Sequence, residues 1–251
     1  MAGTDPAADR NNAQPVSAGR SNLALRVLSS LVLIPLALFV AWLGGWAFNL
    51  FWGIAALLIV YEWTKLTVGS ASPRALDMRT SLWVCAGLIY AAALMMAACV
   101  LRADDSTGLV AILFLFAVVW GTDIAAYFAG RTFGGPKLMP RVSPKKTWSG
   151  ALGGTFAGVA AAVVVAWLAG LRNLGAIALV ALVLSFVSQA GDLMESALKR
   201  QFGAKDSGGL LPGHGGLMDR LDGFAVAVVV AAVIGIVRGG LDAPASGLLV
   251  W

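Results

Sequence analysis

Leu174–Gly223 reads LGAIALVALVLSFVSQAGDLMESALKRQFGAKDSGGLLPGHGGLMDRLDG. It begins as an apolar run, Leu174–Ala190, and then sets Asp192, Glu195, Lys199, Arg200, Lys205, Asp206, Asp219, Arg220 and Asp222 around a glycine-rich stretch. A second apolar run, Phe224–Val237, follows at once. Charge is costly beside hydrocarbon, so a dense charged cluster between two membrane-length runs marks both the helix ends and a functional site. The rest of the chain agrees. Of its 251 residues 59% are hydrophobic and 12% charged, with mean hydropathy +0.83, against the roughly 45–50% apolar content of soluble domains. Further apolar stretches run Val27–Leu43, Trp46–Trp63, Leu82–Leu101, Leu109–Phe128 and Ala151–Leu171. The expected fold is an all-α polytopic membrane bundle of about seven spans (range 6–9). The first two spans are the hardest to separate, since only Gly44–Gly45 divides them.

Counting cations orients the bundle. With seven spans and a cytoplasmic N-terminus, 15 of the 18 Lys and Arg residues fall in cytoplasmic segments, and only Arg102, Arg172 and Arg238 fall opposite. That bias is the positive-inside rule. The net charge of +5 is therefore read as loops meeting anionic headgroups and substrates, not as nucleic-acid binding. Residues 1–22 are polar, lack an apolar signal-peptide core and are expected to form a disordered cytoplasmic tail. Residues 23–102 then form an N-terminal transmembrane region, and 103–251 a catalytic transmembrane region with its site on the cytoplasmic side. Cys85 and Cys99 lie 14 positions apart in one run, about 21 Å on a helix, too far for a disulfide. Both are expected to be small core residues.

Three polar clusters share the cytoplasmic side. In Gly121–Leu138, Asp123, Tyr127 and Gly130 recur at i, i+4, i+7 and share a helix face, before Gly134–Gly135–Pro136 ends the helix. Asp123 is either hydrogen-bonded between helices or paired with a cation or metal. In Pro140–Gly154, Ser143–Pro144 reads as a helix N-terminus with Ser143 as cap. Lys145, Lys146 and Thr147 would then lie beside free backbone N–H groups that attract phosphate. On their own the two lysines could be membrane-surface anchors; the cap and the third cluster favour phosphate.

In the third cluster Asp192, Glu195 and Lys199 line one helix face, and Asp219 and Asp222 repeat the i, i+3 spacing on the next helix. Carboxylates from two helices can hold one or two divalent ions; hard oxygen ligands near phosphate suit Mg²⁺, with Mn²⁺ an alternative. A salt-bridge network pairing Glu195 with Lys199 and Asp219 with Arg220 is the competing structural reading. His214, the single histidine, is read as a phosphate contact, a general base or a loop-shaping donor; with both cysteines distant, zinc is disfavoured. Glu62 is read as a partner of Lys65, a site role being the minor alternative.

Ser196–Ala–Leu–Lys199–Arg200, Lys205–Asp206 and Pro212–Gly–His214–Gly215–Gly216–Leu–Met–Asp219–Arg220–Leu–Asp222 resemble the signature of phosphatidate cytidylyltransferases, or CDP-diacylglycerol synthases. Gly121–Thr–Asp123, Ala126–Tyr127–Phe128, Gly130–Arg131 and Ser143–Pro–Lys145–Lys146–Thr147–Trp148 are similar to the family's other blocks. The similarity covers Gly121–Asp222 and reaches the N-terminal half by hydropathy alone. It implies a bacterial inner-membrane enzyme that converts CTP and phosphatidate into CDP-diacylglycerol and pyrophosphate with Mg²⁺, in phospholipid biosynthesis. On that footing Asp192 and Asp219 carry the metal, supported by Asp222 and Glu195. Ser143, Lys145, Lys146 and Thr147 bind the triphosphate, Asp123 orients nucleotide or metal, and Lys199, Arg200 and Arg220 meet phosphatidate or pyrophosphate. The resemblance and the small-residue helices imply a homodimer. Competing classes are a CTP-dependent lipid kinase, an alcohol phosphotransferase (disfavoured, because Asp192 and Asp219 lie far apart in sequence) and a cation or proton transporter (disfavoured, because the polar groups gather on one side).

Overall fold

The structure, a computed structural model, describes residues 31–69, 77–210 and 215–251. The expected tail, the start of the first apolar stretch, Arg10, Arg20, Arg26, Arg74 and His214 lie outside the described residues. Helix α1 is described over Leu31–Leu43. It is followed by α2 (Gly45–Val68), α3 (Met78–Arg102), α4 (Gly108–Phe133), β1 (Lys137–Met139), β2 (Ser143–Thr147), α5 (Trp148–Leu168), α6 (Leu174–Gln201), α7 (Met218–Gly239) and α8 (Pro244–Leu249). Among the described residues each expected apolar stretch falls in one of α1–α7, the fifth running three residues past the end of α5. Six of these helices, α2–α7, are long and apolar enough to cross a bilayer, while α1 is shorter over its described part.

Only 28–44% of an 18-residue apolar stretch in each spanning helix is buried within the bundle, and the outward faces remain apolar, as at Leu57, Ile89, Phe156 and Trp167. A helix satisfies its own backbone hydrogen bonds, so an apolar outer face is stable in hydrocarbon. Cys85 lies on such an exposed face, which corrects the expected core placement, and Cys99 is half-buried; both are free thiols.

Small residues decide the tightest helix pairing. On α5, Gly150, Gly154 and Gly158 recur every four residues and seat against α4; a Cβ on Gly154 would lie 2.6 Å from the Thr122 carbonyl oxygen. Close backbone approach of this kind replaces the hydrophobic drive that lipid does not supply. Across the α4–α5–α6 seam runs a polar ladder. Thr122 Oγ1 and Ser185 Oγ lie 2.8 Å apart, and Gln189 Nε2 donates to Thr155 Oγ1 at 2.9 Å. It leads toward the charged end of the bundle.

The opposite end is closed by its few charges. Arg102 donates to the carbonyls of Ala41 and Trp42, where α1 stops. Arg238 donates to the Gly247 carbonyl and stacks over the Trp251 ring at 3.3 Å. Asp104 accepts from the Ser106 hydroxyl (2.7 Å), the Ser106 and Thr107 amides and the Ser246 amide (2.8 Å), tying the α3–α4 turn to α8. Burial pushes this carboxyl up, but the Ser106 hydroxyl and the Ser246 and Thr107 amides outweigh it and hold it below the usual carboxylate range. A depressed folded-state value contributes stability that is complete above the unfolded value of about 3.9 and is lost as pH falls below it. Asp104→Asn is expected to cost about 1–3 kcal/mol at pH 7. The gap in melting temperature from wild type should narrow as pH drops below about 4. Thermal unfolding in detergent at the two pH values checks this; equal melting temperatures at pH 7 would refute it.

Candidate active site

The charged end is assembled from α4, the hairpin that follows it, α6, the loop after α6, and α7. Helix α4 ends where Gly134 takes φ 60° and Gly135 φ 99°, a left-handed stop that suits glycine. The chain then makes a hairpin, with Lys137 opposite Thr147 and Met139 opposite Ser143. This corrects one expectation: Ser143 and Pro144 are strand residues, and the cap of α5 is Thr147, whose Oγ1 accepts the Gly150 amide at 3.1 Å. The helix starts four residues later than the Ser–Pro signal suggested, because strand pairing holds Ser143–Thr147 extended. The Trp148 amide bonds Pro136 O at 3.1 Å and the Ser149 hydroxyl bonds Gly134 O, pinning the hairpin to both helices.

Between the hairpin, α4, α5, α6 and α7 lies a polar cavity of about 550 Å³. Its walls carry Asp123, Tyr127, Gly130 and Arg131 from α4 and Lys145, Lys146 and Thr147 from the hairpin. Gln189, Asp192 and Lys199 come from α6, Asp206 from the following loop, and Asp219, Arg220 and Asp222 from α7. The structure thus brings together Asp123, Lys145, Lys146, Thr147, Asp192, Lys199, Asp219, Arg220 and Asp222. Lys146 and Asp192 form an ion pair across the cavity; both are partly exposed, so it adds little stability and is open to exchange for a ligand.

Asp219 is the most heavily engaged acid. It accepts Lys199 Nζ at 2.5 Å, the Gly216 amide at 2.8 Å, and both the amide and the hydroxyl of Ser207 at 3.0 Å. Lys199 thus reaches Asp219 from the neighbouring helix. Glu195 lies beneath, 3% exposed, with Lys199 Nζ at 3.4 Å. Lys199 is an ion-pair partner at that distance and not a hydrogen-bond donor: among the described residues neither Glu195 oxygen accepts a hydrogen bond, which leaves a buried carboxylate short of donors.

Two expected site residues, Ser143 and Arg200, stand apart from the cavity. Ser143 pairs with Met139 on the hairpin. Arg200 is exposed and donates to the Ala204 carbonyl at 3.1 Å, closing the end of α6. His214 lies outside the described residues. One residue of the site, Gln189, was passed over in the sequence, a polar residue inside an otherwise apolar run. Glu62 was given a site role only as the minor alternative: it is fully buried and accepts the Met218 amide at 2.8 Å, the Leu217 amide at 2.9 Å and the Ser207 hydroxyl at 3.3 Å. The expected pairing with Lys65 is thereby corrected, since Lys65 instead sits over the Tyr61 ring. An acid inside an apolar stretch was the available signal for Glu62, the same kind that marked Asp123.

A second cavity, about 580 Å³ and largely apolar, opens between α1, α2, α4 and α7. Trp52 and Phe224, stacked with centroids 5.2 Å apart, form part of its wall together with Phe116, Ile54 and Leu58. Its polar end is made of Asp123, Asp219, Arg220 and Asp222, which also line the first cavity.

A helical membrane protein with acids and cations gathered at one bundle end, beside an apolar groove, is built to handle a phosphorylated ligand at the bilayer edge. The chain belongs to the cytidylyltransferase family, whose profile matches residues 68–237. It is similar to the phosphatidate cytidylyltransferase of Brucella suis, at 42% identity over 264 aligned positions covering 90% of this chain and 98% of the relative. The Brucella abortus protein of the same name is 43% identical over 253 positions, covering 86% and 94%. That of Staphylococcus epidermidis is 48% identical over 120 positions, covering 47% and 46%. The resemblance read from Gly121–Asp222 is borne out.

Proposed function

We propose that this protein is a phosphatidate cytidylyltransferase that joins CTP and phosphatidate into CDP-diacylglycerol and pyrophosphate, with its charged end facing the cytoplasm of a bacterial inner membrane. The observation that carries this reading is the wall shared by the two cavities. A water-soluble triphosphate suits the polar cavity, acyl chains suit the apolar one, and the reacting phosphates would meet at Asp123, Asp219, Arg220 and Asp222. The names of the relatives and the cation-rich loops on that side support the same reading.

The chemistry asks little covalent help from the protein. A phosphatidate phosphate oxygen is already anionic; it attacks the α-phosphorus of CTP, a new P–O bond forms, and the bond to the β-phosphate breaks with its electron pair leaving on pyrophosphate. Positioning and charge neutralisation are what such a step needs. Lys145, Lys146 and the Thr147-capped start of α5 supply cations and a helix N-terminus for the triphosphate. Lys199 and Arg220 neutralise phosphate oxygens at the shared wall. Asp219 keeps Lys199 charged and aimed.

The residues also fit a divalent cation. Among the described residues no three acids, histidines or cysteines surround one point, but Mg²⁺ is usually held by one or two carboxylates plus substrate phosphates. Asp222 and Asp192 would hold it, with Glu195 behind Asp222 and Asp123 facing them. When bound, Mg²⁺ would neutralise triphosphate oxygens and favour departure of pyrophosphate. Asp219, already saturated by four donors, is better placed to support the loop and Lys199 than to bind a metal directly.

The test is product analysis with CTP labelled at the α-phosphorus, phosphatidate vesicles and Mg²⁺. Label should pass into the organic phase as a CDP-lipid with one pyrophosphate released per turnover. Label remaining in aqueous CDP, with a phosphorylated lipid formed, would identify a lipid kinase and overturn the proposal.

A further inference from the structure

Glu62 lies outside the region matched to the family, 68–237, and in the N-terminal half, yet it touches the heart of the charged end. Its carboxylate is fully buried. The donors aimed at it are the Leu217 and Met218 amides, the first free N–H groups of α7, and the Ser207 hydroxyl. A carboxylate at a helix N-terminus is met by both the unpaired amides and the helix dipole. The same Ser207 hydroxyl reaches Asp219 Oδ2 at 3.0 Å, so Ser207 stands between the two acids. The neighbouring chain is shaped around Glu62: a Cβ on Gly208 would sit 2.8 Å from Glu62 Oε1, and one on Gly216 would sit 2.6 Å from Glu62 Oε2. Those glycines leave the carboxylate room to reach the backbone.

We infer that Glu62 is a positioning residue that fixes the start of α7 and Ser207, and through them the places of Asp219, Arg220 and Asp222, without touching either substrate. Five contacts make the chain of cause: Glu62 to Leu217, Glu62 to Met218, Glu62 to Ser207, Ser207 to Asp219, and Asp219 to Lys199. Glutamine at position 62 would turn an amide N–H₂ toward at least one of three donors, leaving a buried donor unmatched. The start of α7 would then move relative to α6, and the α7 acids would lose their register with Lys199 and Asp192.

The kinetic consequence rests on the functional reading above; the structural one does not. Full-length wild type, Glu62→Gln and Ser207→Ala are compared in detergent by amide hydrogen exchange without substrate, and by steady-state kinetics with CTP and phosphatidate. In Glu62→Gln, peptides covering 203–210 and 215–219 should exchange at least about tenfold faster, while α4 and α5 keep wild-type rates. Its kcat should fall about 100-fold, as misplacement by an ångström can cost that much. The KM for CTP should stay within about threefold, since the triphosphate contacts lie on the hairpin and α5. Ser207→Ala should move the same peptides and the same parameter by less. A folded Glu62→Gln protein with wild-type exchange in those peptides, or with wild-type kcat, overturns the inference. Should Glu62→Gln fail to assemble, Ser207→Ala decides, and wild-type exchange there overturns it equally. Wild-type protein that makes no CDP-lipid would defeat the functional reading, with the exchange arm still deciding the role of Glu62.

Discussion

Asparagine in place of Asp219 is expected to reduce CDP-lipid formation by about 10²–10³-fold, the range seen when one preorganised electrostatic contact is removed from a site. The loss has two sources. Lys199 surrenders its 2.5 Å partner and is left with Glu195 at 3.4 Å, so its ammonium is no longer aimed at the cavity. The Gly216 amide, the Ser207 amide and the Ser207 hydroxyl all sit on Oδ2 while Lys199 sits on Oδ1, so the amide NH₂ of asparagine must face either those three donors or the ammonium. At least one buried donor would go unmatched, and the segment before α7 would loosen. Because Asp219 takes no part in the glycine contacts of the α4–α5 seam, the variant should still insert and elute as wild type on size exclusion. Turnover within tenfold of wild type in such a preparation would contradict the assignment.

Asp222→Asn is expected to have a comparable effect on kcat, with a different signature. Asp222 faces both cavities and is one of the two acids assigned to the divalent cation. Losing its charge should raise the Mg²⁺ concentration for half-maximal activity by at least about tenfold, the scale on which altered ligand sets change metal affinity. Asp219→Asn should leave that concentration near the wild-type value, since Asp219 is occupied by donors. Chelation of divalent cations should abolish wild-type activity, with recovery on adding Mg²⁺. A Mg²⁺ titration of Asp222→Asn that overlays wild type would remove Asp222 from the cation site.

Much of this architecture is legible in the amino-acid order, for physical reasons. Apolar runs long enough for hydrocarbon appear as helices because an unpaired backbone cannot exist there, so α2–α7 follow almost directly from hydropathy. The cavity acids were found because each is a charge placed where charge is expensive. What the sequence hid is tertiary. Ser143–Pro144 carries a true helix-start signal, yet β1 pairs with this segment and delays the helix to Trp148. Glu62 gave the same kind of signal as Asp123, but its partners lie about 150 positions away, at Ser207, Leu217 and Met218. Local spacing offered Lys65 instead. Asp219 was read as a metal ligand, with Arg220 its partner in the competing structural reading, and nothing local showed that Lys199 reaches it from α6. Which acid meets which cation depends on helix packing, and helix packing here is set by glycine contacts that leave only a faint periodic trace.

The most direct measurement is a structure with phosphatidate, Mg²⁺ and a CTP analogue that cannot release pyrophosphate. The expected result places the triphosphate against Lys146, Thr147 and the start of α5, and the acyl chains against Trp52 and Phe224. A lipid phosphate oxygen should lie within about 3.5 Å of the α-phosphorus, beside Asp222 and Arg220. Nucleotide and lipid bound in separate places, with Asp123, Asp219, Arg220 and Asp222 touching only one of them, would contradict a shared wall as the place of reaction.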